Sequence, residues 1–449
     1  MVGAALSASM NDLVVGIGAN YDTPIPLVAA SDGTLYGCLP WYAGSDNASY
    51  GLVFKVTAAG AVSQLCRFLW DNSNTIGDEP MGLVLDADGN ILVVCDSDGP
   101  SGNGSLVKVD ASTGAATLLH DFATSDGTAP ANIIKASDGN FYGACSHSSV
   151  GMGTVWKWTA AGVFSKLTDF PATASTGQPS TNLIELSGTL YGGTRYGNTG
   201  ASDNGGFYGV SMSTGALTAI HDFTPSEANG GISAWTLCDG AFYCLARGDR
   251  SSGNPGGESA FFFKLDPSGA YAKFPRLPDG IVGVADDLQV CNGVILGISH
   301  SCYSPASNDQ GALFILTTDG GFASVSLFSN SSKGTLNGTP VGLCPIPDGG
   351  AALAISTGAF GAGAICRVTF GIKPLRSLTK VSSSLSGFSV SSSADGTLLL
   401  SGSVPAIIST APGAPDAEGQ PWQVATDGTN LYLCVGPNAW IRFAGTSTW

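Results

Sequence analysis

The sequence lacks a basic leader and lacks any long apolar run. Its opening stretch, MVGAALSASMNDLVVGIG, contains no Lys or Arg, and its apolar segments are too short and too glycine-rich for a signal peptide or a membrane span. Basic residues are scarce throughout: 18 Lys and Arg stand against 34 Asp and Glu, a formal charge of −16. With no Lys/Arg cluster to offset that field, phosphate backbones repel the chain, so nucleic acid is excluded as a partner. These absences predict a protein made and folded in a cytoplasm, without membrane insertion.

Paired cysteines are missing too. The 11 cysteines stand singly, with no C-x-x-C to suggest zinc. Cys38, Cys95, Cys145 and Cys244 each end a strand-like run, which predicts small core residues held as free thiols. No metal and no cofactor is expected. Charge is sparse at 12% of residues while 43% are hydrophobic, which excludes a disordered chain and permits a large core. The 63 glycines and 23 prolines follow no three-residue period, so they signal dense turns rather than collagen.

What is present is repetition. GLVFKVT from Gly51 returns as GSLVKVD, GTVWKWT, GFYGVSM, AFFFKLD, ALFILTT and AICRVTF. Each version follows an apolar run, a tight turn and a second apolar run, as in LVAASDGTLYGC, GLVLDADGNILVVC and NIIKASDGNFYGAC. Asp-Gly between strand-like runs is the strongest local hairpin signal, because a type I′ turn needs positive φ at both central residues. A second Gly turn, such as TAAGA or ASTGA, then leads to a strand such as ATLLHDF, and the connector that follows often ends in proline, at Pro80, Pro130, Pro179 and Pro340.

The unit is therefore four antiparallel strands in about 50 residues, the period of a propeller blade. The seventh unit lacks a recognisable fourth strand, whereas NDLVVGIGANYDTPIP near the start reads as a fourth strand with its connector. The sequence thus predicts an all-β chain: a seven-bladed β-propeller over residues 1–380, with Leu13 to Ile17 closing the last blade, and a small C-terminal β module over 381–449.

The units, ASDGNFYGACSHSSVGMGTVWKWTAAGVFSKLTDF above all, resemble the GloVer tandem repeats of bacterial extracellular proteins, with their DGNFYG and GTVFK-like motifs. The resemblance spans residues 20 to about 370. It implies a propeller-like fold and no specific chemistry.

Beyond residue 380 the chain turns serine-rich and ends in PWQVATDGTNLYLCVGPNAWIRFAGTSTW. This end resembles the C-terminal segment of bacteriophage tail, fibre and other virion proteins, matching at Asp427, Leu431, Tyr432, Cys434, Asn438, Trp440 and Trp449. Trp422, Tyr432, Trp440 and Trp449 carry more aromatic surface than so short a segment hides alone. They are the expected assembly or attachment residues, covered by sister chains in a homo-oligomer, by other virion proteins, or by the propeller's own flank.

Antiparallel order within a blade gathers the loops after the second strand and the connectors after the fourth on one side. Those loops are dissimilar, and recognition favours variable loops on a rigid scaffold. Trp41, Tyr42, His147, Arg195, Tyr196, Arg247, Asp249, His300 and Tyr303 lie in or beside them. Aromatic faces with planar hydrogen-bonding groups suit sugars, so these are candidate ligand-binding residues for a host surface polysaccharide.

Catalysis is not expected. His120 and His221 occupy one repeat position, which reads as structural. Asp78, Glu79, Asp96, Asp98, Glu227 and Glu258 could supply a glycosidase pair, but no linear spacing singles out two of them. DADGN and DSDGPSGNG resemble calcium loops faintly, without the downstream Glu, and the RGD at Arg247 is a chance-sized match. The reading is a virion structural protein, a tail-fibre or receptor-binding component. Its rivals are a non-adhesive head decoration and a polysaccharide-degrading propeller enzyme.

Overall fold

A computed structural model describes residues 10–15, 26–40, 49–69, 75–149, 151–171, 177–179, 182–196, 205–224, 232–246, 261–275, 284–291, 294–301, 309–329, 339–347, 349–356 and 364–368, and beyond them the short strands of the C-terminal unit. Among the described residues every regular element is a strand, and no helix is long and apolar enough to cross a membrane. The chain divides into two compact units, Ser9–Thr369 and a second formed by Met1–Ala8 with Phe370–Trp449.

The larger unit is a ring of seven antiparallel sheets. Blade one is Leu27–Ala29, Leu35–Leu39, Ser49–Val56 and Val62–Leu69; blade two is Asp78–Leu85, Ile91–Ser97, Ser105–Val109 and Ala116–Asp121. Blade three is Thr128–Lys135, Phe141–His147, Gly151–Trp158 and Phe164–Pro171. In blade four the first strand is split into Gly177–Pro179 and Ile184–Leu186, both paired to Thr189–Tyr196. Blades five and six run from Ile232–Cys238 to Tyr271–Lys273 and from Val284–Cys291 to Phe322–Ser329. Blade seven takes Thr339–Pro345, Ala351–Ser356 and Ala364–Val368 from the end of the ring and Met10–Val15 from its beginning. The expected closure by the N-terminal strand is thus found, with Met10 opposite Val368 and Val15 opposite Ala364.

First strands touch one another between blades one and two, two and three, five and six, and six and seven, and blade seven's meets blade one's; blade four joins the ring through Gly177–Pro179 against blade three and Thr189–Tyr196 against the first strand of blade five, so the ring is closed. The hairpin turns form as the sequence dictates. Asp86 Oδ1 accepts hydrogen bonds from the backbone N–H groups of Asp88 and Asn90, both at 2.9 Å. The repeated lysine is structural: Lys157 lies 5.2 Å from the Tyr142 ring centroid and 3.4 Å from Asp138, and Lys108 reaches Asp86 at 2.8 Å.

The core lies between blades rather than within them. In the second strand of blade two, Ile91, Val93 and Cys95 pack toward blade one with Tyr36, Val53 and Phe68. Leu92 and Val94 pack toward blade three with Phe141 and Trp156. Successive side chains alternate across a strand, so a strand covered on both faces must be apolar at every position. That is why these repeats read as continuous hydrophobic runs. Nine of the eleven cysteines are buried and outside any disulfide, small residues in the core.

The second unit holds a hairpin of Phe388–Ser392 with Leu398–Gly402 and a four-stranded sheet. Its Ile407–Ile408 runs parallel to Val424–Thr426, and Asn430–Gly436 and Ala439–Ala444 follow antiparallel. The backbone of Tyr432 faces Arg442 and that of Trp440 faces Cys434. Trp422 and Trp449 lie outside the described residues.

Candidate functional site

Register places the start of each first strand opposite the end of the second. Asp78 faces Ser97, Thr128 faces His147, Gly177 faces Tyr196 and Val284 faces Ser301. These pairs form one axial rim. Just inside it the first strand shifts register in blades two, three, five, six and seven, as between Pro80 and Gly82 or Pro130 and Asn132. The residue before the proline takes positive φ: Glu79 at 50°, Ala129 at 56° and Gln178 at 57°.

In blade two this frame carries acids. The connector into Asp78 is fixed by Ser105 Oγ, which donates to the Ile76 carbonyl at 2.5 Å. Gly77, at φ +87°, leaves the room this needs, since a Cβ there would lie 2.4 Å from Ser105 Oγ. Asp78 is consequently buried, 3% exposed, and its Oδ1 has no hydrogen-bond partner. A hydrogen bond links its carboxyl to that of Asp98. Burial first, then the charges of Asp98, Glu79 and Asp96, raise its pKa to about 7.

Asp98 is held at φ +55°, and unlike Glu79 it has no described counterpart at that strained geometry in the loops of the other blades. Its carbonyl accepts from the Gly104 N–H at 2.9 Å. Farther along the loop, Ser101 N–H donates to Asp121 Oδ1 at 3.1 Å and the Asn103 carbonyl accepts from Ala129 N–H of blade three at 3.2 Å. The DSDGPSGNG loop is therefore closed by its own chain and its neighbours.

A second pair of acids lies alongside. Ser97 Oγ is 3.3 Å from Glu79 Oε2 and 3.4 Å from Asp96 Oδ2, so its one proton serves either carboxylate in turn. Burial raises both pKa values. For Glu79 the Asp96 charge adds to it; for Asp96 the Ser97 hydrogen bond and the His147 charge oppose it. His147 extends the rim across blades: Ser146 Oγ lies 2.9 Å from its Nδ1, and Gln178 Nε2 of blade four lies 3.3 Å from its Nε2. Among the described residues no group of three or more His, Cys, Asp or Glu is arranged to hold a metal ion.

Of the residues expected at the loop face, His147 sits at this site with its exposed ring described. Arg195 and Tyr196 end the strand Thr189–Tyr196, and His300 lies in Val294–Ser301, by backbone only. Trp41, Tyr42, Arg247, Asp249 and Tyr303 lie outside the described residues, as do Glu227 and Glu258. Asp78, Glu79, Asp96 and Asp98 were not separable by linear spacing. Folding the hairpin about its Asp88-Gly89 turn brings them together, because that register sets 78 against 97. His120 stacks on Phe164 with centroids 3.7 Å apart and lies 3.2 Å from Asp126, a packing role as expected.

Similar solved structures include an oligogalacturonate lyase from Vibrio parahaemolyticus, 13% identical over 80% of this chain and 93% of that chain, at a TM-score of 0.52. A putative 6-phosphogluconolactonase from Bacteroides fragilis is 15% identical over 75% and 95%, at 0.48. TolB from Acinetobacter baumannii is 13% identical over 61% of this chain, at 0.38, and the match spans 59% of the TolB chain. No curated protein matches in sequence.

One expectation is corrected here. The absence of catalysis was inferred from a repeat with no assembled acids, yet the lyase has this fold, and the hairpin register assembles acids at the rim. The expectation of a non-enzyme therefore does not stand. None of the matches above supports the expected likeness of the C-terminal segment to virion proteins, and that segment lies beyond the residues the repeat family matches. Residues 79–301, which span blades two to five and the first two strands of blade six, match the family model of the Gloeobacter/Verrucomicrobia repeat.

Proposed function

We propose that the rim of blades two to four is an acid–base site that hydrolyses glycosidic bonds. The observation that carries this reading is Asp78: a buried carboxyl with an unpartnered oxygen, hydrogen-bonded to Asp98 and raised to about 7. A carboxyl that keeps its proton near neutral pH can give it to a leaving glycosidic oxygen as the C–O bond breaks. The paired acids Glu79 and Asp96, joined through Ser97, supply the ionised partner. It either activates water or attacks the anomeric carbon. Water provides the hydroxyl of one product, and Asp78 regains a proton from solvent.

His147, Ser146 and Gln178 hold planar and hydroxyl hydrogen-bonding groups at the edge of this site, which suits sugar hydroxyls. Trp41, Tyr42, Tyr196 and Tyr303 are proposed as stacking residues from their sequence positions just after the second strand of a blade or at its end. The resemblance of the C-terminal segment to virion proteins supports display of this rim on a bacteriophage particle at the host surface. The test is release of reducing ends by the purified full chain from a panel of bacterial surface polysaccharides. Activity that is lost in Asp78→Asn is expected; activity unchanged in that variant, or no release from any member, overturns the reading.

A further inference from the structure

Resting on that reading, we propose that the rim selects saccharides free of acidic groups and rejects uronate-bearing ones. Two observations besides the count of acids support this. Asp78 Oδ1 is sealed from solvent without a hydrogen-bond partner, so no cationic side chain reaches that oxygen to offset the acids around it. The carboxyls around it are held in place by the frame, through Ser97 for Glu79 and Asp96 and through the strained Asp98 backbone, so they cannot swing away from an incoming anion.

Among the described residues the surroundings offer little positive charge to offset them. His147 is the basic group that acts on Asp96. Lys166, on the outer strand of blade three, is paired with Asp169 at 2.8 Å. Arg195 ends a strand in blade four, two blades from Asp78. The whole chain carries −16, so the long-range field has the same sign as the local one. Like charges juxtaposed in a partly dry site disfavour association, and a discrimination of about tenfold or more is expected here, about 1.4 kcal/mol. This separates the site from one built for oligogalacturonate, the anionic substrate in the name of the Vibrio lyase.

The test compares the wild-type full chain on matched oligosaccharide pairs that differ only in acidity, a uronan and its methyl ester or its reduced, neutral form. Turnover and competition binding are both read at low and raised ionic strength. The expected result is at least about tenfold lower kcat/KM and weaker competition for the acidic member, shrinking as salt screens the charges. Glu79→Gln/Asp96→Asn should narrow the gap in competition binding, whether or not turnover survives. Equal or better use of the acidic member overturns the inference while leaving the hydrolase reading intact. Failure to bind or cleave either member of every pair overturns both.

Discussion

A Cβ placed on Gly104 would lie 2.5 Å from Cδ of Pro130. Gly104 immediately precedes the third strand of blade two, and Pro130 is in the first strand of blade three. The same meeting recurs as Gly51 with Pro80, Gly153 with Pro179 and Gly311 with Pro340. At these four junctions the glycine at the head of a GLVFK-like run and the proline that ends the next connector are thus the two halves of one contact between blades. Gly104→Ala should destabilise the propeller by about 2 kcal/mol or more, from a crowded Cβ and a φ of +94° together. Gly89→Ala, at φ +81° with nothing within 4 Å, should cost only about 1–2 kcal/mol. Urea melts of the two variants decide the matter, and equal losses would refute the contact.

Closure rests on pairing of Met10–Val15 with Ala364–Val368. Removing residues 1–15 leaves the third strand of blade seven with an open edge. The melting temperature should fall by more than about 5 °C, and a peptide spanning the missing strand should restore part of it. An unchanged transition would contradict the closure.

Asp78 makes stability depend on pH in a direction the burial fixes. Its folded pKa of about 7 lies above the ordinary 3.8, so across that window the folded chain holds a proton that the unfolded chain has released. Stability therefore falls as pH rises through it. Asp78→Asn mimics the protonated carboxyl and can still donate to Asp98. The variant should melt with the wild type at pH 4 and above it at pH 8. Glu79 and Asp96, also raised, slope the same way in both proteins, so the difference between the two curves isolates Asp78. Parallel curves would count against its burial.

Lys157 serves packing by its place over Tyr142 and beside Asp138. Lys157→Met should cost about 0.5–1 kcal/mol and leave any carbohydrate binding at the opposite rim unchanged. A loss of binding would mean the repeated lysine does more than hold its hairpin.

The ring was legible because its signals are local and repeated. Asp-Gly turns mark hairpins, and seven copies of one third strand, GLVFKVT to AICRVTF, mark blades. Even the closure could be read, expected at Leu13 to Ile17 and found at Met10–Val15, since the seventh unit lacked a fourth strand. The site was less legible because it is not periodic. Asp78 and Asp98 are far apart along the chain and meet only across a hairpin whose register must be counted from Gly89. The positive φ of Asp98 leaves no mark in composition. Burial of Asp78 depends on Gly77 admitting Ser105 from the next strand but one, a contact that linear spacing does not display.

The most direct measurement is a carbon-detected titration of the aspartate side-chain carboxyls in the wild type and in Asp78→Asn. One aspartate should titrate near pH 7 and vanish from the variant's spectrum while the propeller's backbone signals persist. Should every aspartate titrate at ordinary acidic values, the buried acid at the rim does not exist and the proposed chemistry goes with it.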